Sequence, residues 1–272
     1  MLMEAHDFRD ECDALYKLVK PIKQEEFERI TLFRDWTIND VLQHLHFFNY
    51  VADLTLVDED RFLRTYAELN AEREKSGSVT VATNEMLKGL RGPALLAAWH
   101  DFYQEMAERF YQADPKQRLK WVGPSMSARS SISARLMETW AHAQEIYDLL
   151  GVKRHNQDRI KSIAVMGMNT FGWTFKNRDE PIPATAPHVR LTAPSGAVWE
   201  WNAENGSDKI EGEAAEFCQV VTQTRNIADT ALDVRGDIAG RWMEVAQCFA
   251  GPPRTPPAPG TRHAMNEGTG KV

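Results

Sequence analysis

Through most of the first 178 residues, apolar side chains recur every three or four positions. That period gathers them on one side of a helix, so the N-terminal part of the chain must fold as packed helices. Phe8, Cys12, Leu15, Tyr16 and Val19 mark a first helix, from about Met3 to Val19, and Pro21 ends it. Glu25 to Ile30 reads as a short helical turn or loop. Thr37 then has the character of an N-cap, with Asp40 at the third helical position. It opens a second helix to about Leu56, with Ile38, Val41, Leu42, Leu45, Phe48 and Ala52 as its apolar stripe. The charged run 59–75 either extends this helix or forms another, and 76–83 reads as a turn or loop. Pro93 suits the first turn of a third long helix, to about Ala113, whose buried face carries Leu96, Trp99, Tyr103, Met106 and Phe110. After a break at Val122-Gly123-Pro124 comes a central helix, Ser131 to Leu150, closed by Gly151. A fifth helix spans about Gln157 to Lys176, with Gly167 and Gly172 either making it less regular or allowing close packing.

The pattern changes after Arg178. The stretch 179–187 (DEPIPATAP) is proline-rich and forms the expected domain boundary. Residues 188–192 and 197–201 alternate as strands do, with Pro194-Ser195-Gly196 as the turn of a hairpin. Asn205-Gly206 signals another turn. Lys209–Glu211 is a short strand, Glu213–Arg225 a helix, Thr230–Val234 a strand and Asp237–Phe249 a closing helix. From 251 to 272 the chain is rich in Pro and Gly without periodicity, which predicts disorder. The expected fold class is therefore multi-domain, α and α+β: a helical bundle over 1–178, a small α+β domain over 187–250, and a disordered tail.

Hydrophobic content of 43% and charged content of 26% suit a globular chain, and the formal net charge is −7. An acidic surface offers little to nucleic acid or to an anionic membrane. No apolar run approaches the roughly 20 residues needed to span a bilayer. The acidic N-terminus has no apolar signal core, so the expected location is cytoplasmic. Cys12, Cys218 and Cys248 are few, odd in number and widely spaced. They read as reduced core residues, not as a disulfide framework or a thiolate zinc site.

The chemistry-bearing pattern is on the central helix. Glu138 and His142 are four apart, which stacks them one turn apart on one face. A carboxylate oxygen and an imidazole nitrogen so placed can share a divalent cation. The small residues Ser131, Ala134 and Ala141 lie on or beside that face and leave room for an ion and water. The second helix offers a third ligand. His44 has Val41, Phe47 and Phe48 about it, whereas His46 has Leu42, Gln43, Asn49 and Tyr50, a less apolar set, and should sit nearer the bundle edge. The competing reading of His44 is a core histidine bonded to a backbone carbonyl. That of Glu138 is an exposed carboxylate, since one Glu-x-x-x-His pair is common by chance. Trp36, Trp99, Trp121, Trp140 and Trp173 read as core, and His100 as exposed. Phosphate-cradling Gly loops, nucleophile elbows and HExxH are absent.

The run Trp36-Thr37-Ile38-Asn39-Asp40-Val41-Leu42-Gln43-His44-Leu45 resembles the entry motif of the DinB/YfiT-like four-helix-bundle metalloproteins. It is most similar to their mycothiol-dependent maleylpyruvate isomerase branch. The stretch from Val189 to Trp201 (VRLTAPSGAVWEW), the 213–225 helix and Val234-Arg235-Gly236-Asp237 look like that branch's sterol-carrier-like C-terminal domain. The resemblance implies a metal, Zn²⁺ first among candidates, held by His44, Glu138 and His142. It also implies a low-molecular-weight thiol and a small-molecule substrate, with isomerase or thiol S-transferase chemistry on a small organic acid or other electrophile. At the end of the 213–225 helix, Arg225 stands where those isomerases place a catalytic arginine. A competing expectation is a non-catalytic, metal-containing module that binds an apolar or acyl ligand.

Overall fold

The computed structural model describes residues 1–121, 123 and 125–265. Packing divides the chain into two compact units, Met1–Leu149 and Leu150–Val272. The division falls ahead of the proline-rich 179–187 stretch, so the helical residues 161–176, grouped by periodicity with the bundle, belong to the second unit.

In the first unit four helices form the bundle: α1 (Glu4–Val19), α2 (Ile38–Val57), α5 (Gly92–Gln112) and α6 (Ala128–Leu150). α5 packs against both α1 and α2. α6 meets α2 through a buried bond from Arg135 Nε to Asn49 Oδ1 (2.9 Å), and meets α1 where Cys12 Sγ touches Thr139 Oγ1 (3.8 Å). Phe8, Leu15, Leu42, Leu45, Trp99, Tyr103, Phe110, Leu136 and Trp140 fill the interior. Burying each such side chain contributes about 1.5–3 kcal/mol. The start of α2 is fixed by the expected capping box. Thr37 Oγ1 accepts from the Asp40 amide (3.1 Å), and the Thr37 amide donates back to Asp40 Oδ2 (2.8 Å).

Residues 59–75 form a separate helix, α3 (Glu59–Ser76), because Asp58 (φ −158) ends α2 and its carboxylate caps the next turn at Arg61. The expected loop at 76–83 is instead largely helix. Ser78 caps α4 (Val79–Met86), whose Ala82 packs with Phe47, Val51, Leu54, Phe62 and Leu69 in a satellite core. A two-residue antiparallel pair, β1 (Arg118–Leu119) and β2 (Met126–Ser127), leads into α6. Of the expected break at 122–124, Val122 and Pro124 lie outside the described residues.

In the second unit the expected fifth helix is split into a 3₁₀ turn at Asp158–Ile160, α7 (Lys161–Asn169) and α8 (Phe171–Lys176). Gly167 lets α7 closely approach a later helix, α9 (Ala214–Val221), since a Cβ there would lie 3.0 Å from both Phe217 and Val221. Four strands follow: β3 (His188–Thr192), β4 (Val198–Trp201), β5 (Lys209–Glu213) and β6 (Asp233–Arg235), in spatial order β4-β3-β5-β6. The β3–β5 pair is parallel and the other two are antiparallel. α9 (Ala214–Val221) is shorter than the expected 213–225 helix, and α10 (Asp237–Val245) ends before Phe249. Gly236 (φ 90) lies against Ser207 and Asp208, where a side chain would collide. The Asp208 carboxylate accepts from the Ile238 and Ala239 amides at the start of α10. Of the tail expected to be disordered, 251–265 is held by hydrogen bonds. The Arg254 amide donates to Gln247 Oε1, Asn226 Nδ2 to the Pro257 carbonyl, and the Gly260 amide to Asp229 Oδ1. Residues 266–272 lie outside the described residues.

Among the described residues no helix is long and apolar enough to cross a membrane. Cys12, Cys218 and Cys248 are buried thiols. Trp99 and Trp140 are core as expected, whereas Trp173 is 40% exposed. His100 is half-buried against Tyr16, with ring centroids 4.2 Å apart. The cap at Thr37 yields a direct expectation. Thr37→Ala leaves the Asp40 amide without its side-chain acceptor and should cost about 1 kcal/mol in urea unfolding.

Candidate metal centre

The capping box sets where α2 begins, and with it the direction of His44 two turns later. His44 faces α6, where Glu138 and His142 occupy one face. His44 Nε2 lies 3.1 Å from Glu138 Oε2, and His142 Nε2 lies 3.4 Å from the same oxygen. One ligand atom from each of the three residues falls within 4.8 Å of the others. Among the described residues this is the one His, Cys, Asp or Glu cluster with such geometry. Side-chain exposures of 16%, 26% and 12% for His44, Glu138 and His142 leave the cluster enclosed yet reachable.

The electrostatics prepare these groups as ligands. Burial pushes the His44 imidazole down to about 4, against the opposing pull of Glu138, so the ring is neutral at pH 7. Burial alone would lift the Glu138 carboxyl. The contacts from His142 and His44 outweigh it and hold Glu138 well below the usual carboxylate range. Two imidazole nitrogens and one ionised oxygen form a donor set suited to a borderline divalent ion such as zinc. His44 Nδ1 is buried and has no hydrogen-bond partner among the described residues. The backbone-carbonyl partner expected of an ordinary core histidine is therefore missing.

Aromatic rings surround the cluster. Trp36 stacks on His142 (5.5 Å between centroids, planes 9° apart) and leans on His44 (5.3 Å). Phe33 meets His142 edge-on at 5.1 Å, and Phe48 lies 4.7 Å from His44. Phe33 and Trp36 belong to the loop before α2, and periodicity marked neither as part of the site. The signal available was their position immediately ahead of the Thr37 cap. Arg135, one turn before Glu138, is also buried and bonds Asn49 five residues beyond His44. Ascending α2 therefore matches descending α6, and the two helices run antiparallel.

His46 points elsewhere. Its ring meets the edge of Phe102 on α5 at 5.7 Å, and its Nδ1 is buried with no hydrogen-bond partner among the described residues. It is half-buried, like His44, but lies on the α5 side of α2. Arg225 follows α9 in a turn. Its amide donates to the Gln219 carbonyl (3.3 Å) and its guanidinium to the Thr224 carbonyl (2.8 Å).

The fold and this cluster define a helical bundle carrying a two-histidine, one-glutamate centre, joined to a small α+β unit. A family model described as the mycothiol maleylpyruvate isomerase N-terminal domain matches residues 8–147, and the chain belongs to that family. Two uncharacterised proteins from two strains of Mycobacterium tuberculosis are each 35% identical over 249 residues, covering 91% of this chain and 95% of theirs. Crystal structures of the mycothiol-dependent maleylpyruvate isomerase and of a mutant of it share the fold. The TM-score is 0.51 at 13% identity, over 80% of this chain and 86% of theirs.

His46 carries a pH prediction. Burial pushes its imidazole down to about 4, from an ordinary value near 6.5. The unfolded chain therefore takes up the proton first. The stability tied to this ring is intact above pH 6.5 and drains as the pH falls towards 4. At pH 5 the loss is about 2 kcal/mol. In urea unfolding with chelator present, His46→Phe should lose correspondingly less stability than wild type between pH 7 and pH 5. Parallel losses would show that the ring is not held neutral.

Proposed function

We propose that this protein is a divalent-metal enzyme of the thiol-dependent isomerase or thiol S-transferase type, acting on a small organic acid or similar electrophile. The convergence of His44, Glu138 and His142 on a common point carries this reading. Membership of a family named for a mycothiol-dependent isomerase supplies the reaction class. Zn²⁺ is the metal best matched to the donor set. Bound there with open positions, it would act as a Lewis acid and lower the pKa of a thiol or water.

The chain's own residues do the rest. Burial keeps His44 neutral and hence able to donate its lone pair. Glu138 supplies the negative charge that a cation needs in an enclosed site. Trp36, Phe33 and Phe48 exclude water from around the imidazoles. In an isomerisation the thiolate sulfur adds to one carbon of an activated double bond, and the π electrons move into the conjugated carbonyl. The remaining single bond rotates, and return of the electrons expels the thiolate, so no thiol is consumed. In an S-transferase the carbanion takes a proton instead, and the new C–S bond stays. We propose Arg225 as the second anchor for a substrate carboxylate. A planar guanidinium grips a carboxylate with two hydrogen bonds, which lysine cannot reproduce.

Protein purified without a metal-binding tag should carry about one divalent ion per chain by elemental analysis. His142→Ala should remove it and His46→Ala should not. Equal loss in both variants, or no uptake by wild type after loading, would end the three-ligand reading. The cobalt-loaded protein should change its visible spectrum when a small thiol is added, as an open site does. Arg225→Lys should keep its metal yet lose turnover about tenfold, one bidentate contact being worth 1–2 kcal/mol. Wild-type turnover in that variant would leave Arg225 a surface charge.

A further inference from the structure

A metal-ligating histidine is ordinarily oriented by a hydrogen bond from its second ring nitrogen to a carboxylate, carbonyl or water. Among the described residues no carboxylate or carbonyl gives His44 that restraint: its Nδ1 is buried without a hydrogen-bond partner. Rotation about the bond to an imidazole ring is broad and only weakly restricted. Something else must hold the ring in the plane that aims Nε2 at Glu138.

The loop before α2 is built to do this. Ile30 and Thr37 bridge across it as antiparallel partners. The Trp36 carbonyl accepts from the Thr31 amide (2.8 Å) and from Thr31 Oγ1 (2.9 Å), and the Trp36 amide donates to the Phe33 carbonyl (2.9 Å). The turn itself uses two successive non-glycine residues with positive φ, Arg34 (52°) and Asp35 (56°). Each costs on the order of 1 kcal/mol, and such strain persists only where the surroundings over-determine it. What the strain delivers is the Trp36 indole. It is 9% exposed, stacked flat on His142 and leaning on His44.

We infer that the 30–37 hairpin is a positioning device for the metal centre. Trp36 fixes the planes of both histidine imidazoles, in place of the hydrogen bond that His44 lacks. The inference rests on the metal-enzyme reading above and assigns Trp36 as a positioning residue. The substrate's chemistry does not enter it.

The test is Co²⁺ affinity of the full-length protein, measured by competition with a chromogenic chelator, beside apo-protein melting. Trp36→Leu removes the ring and should weaken Co²⁺ binding by about tenfold or more, the size of effect seen when outer-shell partners are lost. Trp36→Phe keeps an aromatic face and should restore affinity to within about threefold of wild type. Trp99→Leu, in the core of α5, should lower the melting temperature yet leave Co²⁺ affinity unchanged. Asp35→Gly relaxes the turn, so it should keep or raise the melting temperature while loosening Co²⁺ several-fold. Should Trp36→Leu fail to fold, Asp35→Gly decides the matter alone. Trp36→Leu or Asp35→Gly binding Co²⁺ as tightly as wild type would overturn the hairpin's role and leave the metal-enzyme reading standing. A wild-type protein that binds no Co²⁺ would overturn both.

Discussion

A carboxylate enclosed in a helical bundle has to be met by partners, and in this protein the partners are two imidazoles. Glu138 could not be ionised in such a place without them. His44 and His142 hold it well below the usual carboxylate range. The same contacts bring three ligand atoms within 4.8 Å. Much of the first unit can be read as the apparatus that makes this meeting possible. The Thr37–Asp40 box sets the phase of α2. The Arg135–Asn49 bond ties α2 to α6 one layer along from the cluster. The capping box and the buried amide lie on α2, which carries His44, and the strained hairpin leads directly into it.

The enclosing rings add a second constraint. Trp36 and Phe33 come from a loop, Phe48 from α2, and all three meet imidazole faces or edges. Low dielectric around the cluster depresses His44 and keeps it neutral. It would also strengthen any electrostatic interaction with a bound cation. A site that is largely apolar apart from a few convergent polar groups is the usual form of a small-molecule pocket.

Several features are legible in the sequence alone. Period-three-and-four stripes located α1, α2, α5 and α6 to within a few residues. Thr37 with Asp40 marked the start of α2, because a capping box is a local exchange between residues three apart. Other features were not legible, for identifiable reasons. Residues 79–86 form a helix because Ser78 caps it and Ala82 finds a satellite core, and only the second of these depends on distant residues. The close approach of α7 to α9 rests on Gly167 meeting Phe217 and Val221, fifty or more residues away. The proline-rich run from 251 lies fixed because Gln247, Asn226 and Asp229 happen to face it. Composition signals disorder when it counts only the segment's own capacity to bury surface.

The sequence by itself determined the helical phases, the capping box and the one-turn separation of Glu138 from His142, because each is a property of neighbours along one helix. It also set the chemistry on offer, two imidazoles and a carboxylate. His44 was favoured over His46 by its apolar neighbours and by the motif it completes, but only the tertiary structure decided that it comes within 3.1 Å of Glu138 on α6. It likewise decided that Trp36 lies flat on His142 and that Arg135 bonds Asn49. These contacts are between residues 86 to 106 positions apart in the chain (142 − 36 = 106). Such contacts follow from how helices pack side by side, and the 3.6-residue period of a single helix carries no information about its neighbour.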